Sequence, residues 1–342
     1  MASKDSSLAW RRAETWPQEP LRVTSRCGAA PNGCPHRRPE STPTILGYTH
    51  GRAPPADSRR RPALVYHQTI VNVEVISVRI VRYQEGGQPP AYGILEPPAR
   101  VLPIEGDVFG RWRRTSAALD LAQVRLLAPV QPPNVLAIGL NYRAHAAESG
   151  ARIPSAPVLF LKANTAVIGP DDTILLPEMA PDEVDYEAEL VIVIGRCAHN
   201  VPEAEALEYV LGYTCGNDVS ARDCQLRLDV QWARGKSFDT FAPLGPWIET
   251  ELDPDNCRIR SRLNGQVMQD SNTNDMIFGT RQLVSYLSRC MTLLPGTVIM
   301  TGTPSGVGFA RKPPVFLRPG DVIEVEIDGI GTLRNRVARE EP

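Results

Sequence analysis

The 342-residue sequence contains no run near the ~18 uncharged apolar residues that a membrane helix requires. No apolar h-region follows the start, so no secretory signal is expected. The seven cysteines (27, 34, 197, 215, 224, 257 and 290) form no C-x-x-C pair and no zinc-finger spacing. Odd in number and scattered, they suit reduced thiols in a cytoplasmic compartment. G-x-S-x-G is missing, which argues against a serine nucleophile elbow. The glycines of GLNY and TGTPSGVG lack the strand–G-x-G-x-x-G–helix setting of a dinucleotide site. Internal repeats are absent. Net charge is also scarce: 37 basic against 39 acidic residues leave a formal −2, which gives no pull toward nucleic acid or a membrane surface.

Apolar content of 42% and charge of 22% are globular values. The charge is unevenly spread. Residues 1–65 hold 11 Lys/Arg, 5 Asp/Glu and nine prolines, with almost no hydrophobic periodicity. That composition reads as a disordered or non-native extension. A transit segment competes with it, but the prolines spoil an amphipathic helix. A small β-containing unit is expected over 66–128, and the main domain over 129–342.

Within these units IVNVEVISVRIVRY is strand-like from Ile70, and GGQPP turns it toward AYGILE. A short polar helix follows before about 125. VLAIGLNYRAHAAE reads as strand, loop and first helical turn. PVLFLK, TILLP and EAELVIVIG read as strands. Apolar residues at 204, 207, 210 and 211 predict a helix from Val201-Pro202 to about Gly212. The Asn-Gly of SRLNGQVMQ marks a hairpin. TRQLVSYLSRCM is an amphipathic helix, followed by the strands TVIMTGTP and DVIEVEI. Many short strands with few helices predict a β-rich α+β fold.

Residues 183–195, EVDYEAELVIVIG, carry acidic side chains at 183, 185, 187 and 189, and the same parity continues as Val191 and Val193. A strand alternates its faces, so Glu187 and Glu189 point the same way. Burying either alone is costly, which calls for a positive partner. An all-oxygen pair suits Mg2+, Mn2+ or Ca2+, with Asp218 of GNDVSARD as a third ligand. A solvated strand edge is the competing explanation. His145 and Glu148 of NYRAHAAES are spaced i, i+3, so a carboxylate can orient an imidazole there as a general base. The competing explanation is a surface helix. TGTPSGVG offers backbone amides and the Thr303 hydroxyl to an anion.

GLNYRAH, PVLFLKANTAVIGP, VDYEAELVIVIG, NDVSARDCQ, GKSFDTFAPLGPWI, LNGQVMQDSNTNDMIF and IMTGTPSGVG occur in this order. Together they resemble the C-terminal domain of the fumarylacetoacetate hydrolase family over roughly 134–340. The wording is nearest the domain-containing protein 2 branch and bacterial 2-hydroxyhepta-2,4-diene-1,7-dioate isomerases. The resemblance implies a mixed β-roll, a homodimer and Mg2+ held by Glu187, Glu189 and Asp218. His145 and Glu148 match a lid dyad, and Lys236 of GKSFD the site lysine. Lys162, Arg222, Gln225 and Thr303 match substrate-contacting positions. Glu183 and Asp185 match none and are expected to be solvated charges near the mouth. The implied activity is metal-dependent chemistry on small 2-oxo or 2,4-dioxo acids, with acylpyruvate-type C–C hydrolysis slightly ahead. Oxaloacetate tautomerisation or decarboxylation and dienedioate isomerisation are alternatives, as is a non-catalytic scaffold that binds a dicarboxylate.

Overall fold

The structure is a computed structural model that describes residues 77–341. The expected extension over 1–65 and the strand start at Ile70 lie outside these residues. β1 (Arg79–Glu85), β2 (Ala91–Glu96) and β3 (Arg100–Gly106) form an antiparallel meander, and the expected GGQPP turn joins the first two. Short strands β4 (Trp112–Arg114), β5 (Leu119–Asp120) and β6 (Val124–Leu126) extend it. The expected polar helix is a single 3-10 turn over Leu121–Gln123, capped by Asp120.

β7 (Val135–Gly139), α1 (Arg143–Glu148) and β8 (Val158–Lys162) come next. They are followed by β9 (Val167–Ile168), β10 (Thr173–Leu176), β11 (Val184–Asp185), β12 (Ala188–Ile194), β13 (Val210–Asn217) and β14 (Ser220–Ala221). After α2 (Ala233–Lys236) run β15 (Ala242–Glu249), β16 (Arg258–Leu263) and β17 (Gln266–Asn272). The chain continues through α3 (Thr280–Cys290), β18 (Val298–Met300), β19 (Val322–Ile327) and β20 (Gly331–Arg339).

Among the described residues thirteen strands share one mixed sheet, along the path β4-β3-β2-β1-β15-β13-β12-β18-β7-β8. A second sheet runs β10-β20-β19-β16-β17, and β11 pairs with β14. This is the β-rich α+β architecture the sequence predicts. The N-terminal meander joins the main sheet through Arg79↔Glu249 and Ile80↔Ile248. β12 lies between β13 and β18, which pair both its edges, and core clusters cover both its faces, so AELVIVI is buried throughout. Its Leu190, Ile192 and Ile194 face α3 residues Leu283, Val284 and Leu287 and second-sheet residues Ile259, Val325 and Leu333. Val191 and Val193 face the other way, with Leu244, Ile248 and Val298. The hairpin at Asn264-Gly265 has φ of 52° and 81°, the left-handed pair that Asn-Gly adopts readily.

Two expectations need correction. The helix predicted over 201–212 is a 3-10 segment at Glu203–Tyr209, and Val210 onward is β13. Pairing with β12 and β15 on both edges outweighs the helical spacing of 204, 207, 210 and 211. The acidic run is also not one strand. β11 ends at Asp185 and β12 begins at Ala188, with Tyr186 and Glu187 between them.

Candidate metal centre and active site

Strand register assembles the site. β12 and β13 are antiparallel with Ala188↔Asn217 and Glu189↔Gly216, so the start of one meets the end of the other. The Asp218 amide then bonds the Glu187 carbonyl at 2.9 Å. β18 pairs Met300 with Val191 and, on its other side, with Ala137 of β7. The segments following both strands therefore open at the same end of the sheet. Glu187, Glu189 and Asp218 are buried there, with ligand oxygens all within 4.8 Å of one another.

Buried like charges that close need compensation. Lys236 Nζ donates to Glu187 Oε2 at 2.8 Å and Asp218 Oδ2 at 2.7 Å. Lys162 donates to Asp218 Oδ1, and to the Val219 carbonyl at 3.2 Å. Arg222 Nη2 lies 2.7 Å from Glu187 Oε1. Burial alone would raise Glu187, but Lys236 and Arg222 prevail and hold it well below the usual carboxylate range. Burial would lower Lys236, but Asp218 and Glu187 raise it above the ordinary lysine value. Burial lowers Lys162, although Asp218 opposes this.

Glu189 is different. The Gly302 amide donates to its Oε2 at 2.8 Å, and among the described residues no cation forms an ion pair with it. Burial, then Asp218 and Glu187, push it well above the usual range. Counted as ionised, the four carboxylates of this buried cluster (Asp185, Glu187, Glu189, Asp218) outnumber its three cations (Lys162, Arg222, Lys236) by one, and the raised Glu189 is where that excess is resisted. A divalent cation fits this donor set: three convergent carboxylates, all oxygen, one of them without a cationic partner.

Of the dyad, His145 lines the cavity that holds this cluster, and Glu148 stands outside its lining. His145 is buried, and its Nδ1 lies 3.1 Å from Glu148 Oε2. A proton on Nδ1, shared with that carboxylate, leaves Nε2 as the basic nitrogen. The Gly306 amide donates to Glu148 Oε1 at 2.9 Å. Burial raises Glu148, but the His145 and Gly306 hydrogen bonds outweigh it and the pKa falls below the ordinary value. α1 is launched from Leu140, whose φ of 53° is left-handed. That conformation costs a β-carbon residue roughly 1–3 kcal/mol. Asn141 holds it, donating to the Phe278 and Thr301 carbonyls at 3.0 and 2.7 Å and accepting the Phe278 amide at 2.9 Å.

Three of the amides that TGTPSGVG was expected to offer to an anion are taken up inside the protein. They serve the protein's own carboxylates: Gly302 to Glu189, Gly306 to Glu148 and Gly308 to Asp185. Gly302 has φ of 100°, and a β-carbon on it would meet Asn141 Cβ at 2.7 Å, so glycine is required there. The Thr303 hydroxyl donates to the Ala188 carbonyl at 3.0 Å and accepts from Gln269 Nε2 at 2.8 Å.

Glu187, Glu189, Asp218, His145, Lys236, Arg222, Gln225 and Thr303 all line one cavity of about 210 Å³. That volume is small beside typical ligand sites and matches a small acid. Lys162 is the expected substrate-binding residue that does not reach this wall; it is buried behind Asp218. Phe160 and Trp232, edge to face at 5.6 Å, form an apolar side of the cavity. Glu183 and Asp185 are not both solvated. Glu183 pairs with exposed Arg227 at 2.8 Å, whereas Asp185 is completely buried against Arg222. Sequence reasoning also missed Gln269, Phe160, Trp232 and Phe309, ordinary side chains with no spacing signal.

A family model described as "Fumarylacetoacetate (FAA) hydrolase C-terminal" matches residues 134–338. The chain belongs to the fumarylacetoacetate hydrolase family. A second model, "Rv2993c-like, N-terminal", matches 78–129. The chain is 51% identical over 232 residues to a fumarylacetoacetate hydrolase domain-containing protein 2 homolog of Dictyostelium discoideum, covering 64% of this chain and 76% of that one. It is 46% identical over 232 residues to a mitochondrial oxaloacetate tautomerase of Rattus norvegicus, covering 66% and 74%. A solved 5-carboxymethyl-2-hydroxymuconate delta-isomerase from Mycobacterium smegmatis is 48% identical, with a TM-score of 0.69 over 77% of this chain and all of that one. The family is one of enzymes whose named reactions differ, and the chemistry here must come from the site.

Proposed function

We propose that this family member is a Mg2+-dependent enzyme acting on small 2-oxo or 2,4-dioxo acids, with acylpyruvate-type C–C hydrolysis as its leading reaction. The observation that carries the reading is the sharing of one small cavity by the Glu187–Glu189–Asp218 cluster and His145, whose ring is held by Glu148. Bound at the three carboxylates, Mg2+ (Mn2+ or Ca2+ as substitutes) supplies a Lewis acid that draws electron density from a 2-oxo acid's carbonyl. His145 Nε2 takes a proton from water as its oxygen bonds to the C4 carbonyl carbon; the C3–C4 bond then breaks with its electron pair left on C3 as the enolate, and the imidazolium returns the proton there. Glu148 orients the imidazole through its Nδ1. Lys236 places its ammonium beside the oxygen on which negative charge develops. Arg222, Gln225 and Thr303 hold the substrate's polar groups, and Lys162 supports Asp218 from behind. Phe160 and Trp232 keep water from the apolar side of the cavity.

A second reading is keto–enol tautomerisation of oxaloacetate, or isomerisation of a dienedioate, which uses the same residues without attack by water. Its support is the naming of the rat and mycobacterial relatives. A homodimer belongs to the proposal on the family resemblance, and light scattering checks it. Turnover of acetylpyruvate and oxaloacetate, followed at the enol absorbance with and without EDTA, tests the function. Metal-dependent turnover is expected. Binding of these acids without turnover would instead indicate a non-catalytic scaffold.

A further inference from the structure

Asp185 is buried, lies outside the cavity wall and has no part in the scheme above. Both its oxygens are nevertheless engaged. Oδ1 accepts the Tyr186 and Gly308 amides, each at 2.8 Å. Oδ2 accepts the Phe309 amide at 3.0 Å and Arg222 Nε at 2.9 Å, and Arg222 Nη2 lies at ion-pair distance from it, 2.8 Å. The approach is close enough that a β-carbon on Gly308 would fall 2.4 Å from Oδ1. Arg222 is thereby held twice. Asp185 fixes it in the guanidinium plane, and the Phe309 ring covers its face at 4.5 Å from a backbone the same carboxylate anchors. The other contacts of the guanidinium reach cavity residues: Nη1 to Gln225 at 2.7 Å and Nη2 to Glu187 at 2.7 Å.

We propose that Asp185 is a positioning residue that fixes Arg222 and Phe309 together as the anion-binding corner of the cavity. The inference rests on the 2-oxo acid reading above. Arg222 touches two carboxylates, only one of which belongs to the metal cluster. Anchored on Asp185, it stays in place to receive the substrate carboxylate when Glu187 serves a divalent cation. Without Asp185, its remaining carboxylate partner among the described residues is Glu187, where its charge competes with the cation.

Calorimetry on the full chain tests this, with Mg2+ alone and then with pyruvate added to Mg2+-saturated protein. Asp185→Asn should weaken pyruvate about 10–100-fold, the loss expected when a charge-assisted contact fails. It should also weaken Mg2+ several-fold. Arg222→Gln should weaken pyruvate similarly, and the double variant, which leaves no unpaired buried charge, should bind no worse than Arg222→Gln alone. Losses that multiply would make Asp185 a general scaffold residue and overturn the proposal. Half-buried Phe309→Leu carries the test should Asp185→Asn fail to fold: it should weaken pyruvate about 2–5-fold, and unchanged binding overturns the proposal. No pyruvate binding by the wild type would contradict the 2-oxo acid reading instead. The Mg2+ isotherms then decide, and equal affinity in wild type and Asp185→Asn overturns the role of Asp185.

Discussion

Asp185 and Glu189 stand four residues apart in one acidic run, both buried, in opposite surroundings. Asp185 has an arginine and three backbone amides on its oxygens. Glu189 has one amide, from Gly302, and two carboxylate neighbours. The first is a charge the chain satisfies by itself, and it holds other groups in place. The second is a charge whose surroundings favour an added cation. Parity along a strand does not distinguish the two; the identity of the nearest cation does.

The largest expected effect is at the unsatisfied end. Glu189→Gln should reduce metal-dependent turnover to background, while apo stability holds or rises because a neutral amide matches the protonated form that burial and its carboxylate neighbours favour at this position. Thermal melting with and without Mg2+ checks both halves, and a large apo destabilisation would mean that Glu189 is structurally paired. Next comes the dyad. His145→Ala should cost ~10²–10⁴-fold in kcat, with Glu148→Ala and the double variant falling to about the same level because the pair acts as one unit. Multiplicative losses measured by steady-state kinetics would separate the two residues.

The candidate site could be nominated from the sequence because its residues cluster in short, chemically marked segments. EAELVIVIG suggested the two glutamates through strand parity and NYRAHAAES the His145–Glu148 pair through helical spacing, each against a solvated-surface alternative that only the family resemblance outweighed. Asp185 was not legible. Its partner Arg222 lies 37 residues on, and the contact depends on the break after Asp185 and on the β11–β14 pairing. Val210–Asn217 was misread for a similar reason: its periodicity suits a helix, but two neighbouring strands claim its backbone. The second sheet's order, with β10 parallel to β20 at its edge, follows from long-range pairing that no local pattern encodes.

Stability sharpens the comparison further. Arg222→Ala leaves Asp185 and Glu187 without that partner in the interior and should destabilise by ~3–5 kcal/mol in denaturant titrations. A smaller effect is expected of acid on α1. Glu148 is depressed in the folded protein, so its anchoring is complete above the ordinary value of 4.5 and is lost as pH falls through the lower folded value. Hydrogen exchange over 143–148 should therefore quicken in acid before the core of β12 does. The smallest effect belongs to Glu183 and its exposed partner Arg227: Arg227→Ala should leave the melting temperature unchanged.

The central claim is that Glu187, Glu189 and Asp218 form one cation site. Titration of Mg2+ into wild type and Asp218→Ala by calorimetry tests it most directly, since the variant loses one of three convergent carboxylates and leaves the buried Lys162 and Lys236 ammoniums to repel the cation. The account predicts one Mg2+ per chain in the wild type and no measurable binding in the variant. Unchanged affinity in Asp218→Ala would contradict it.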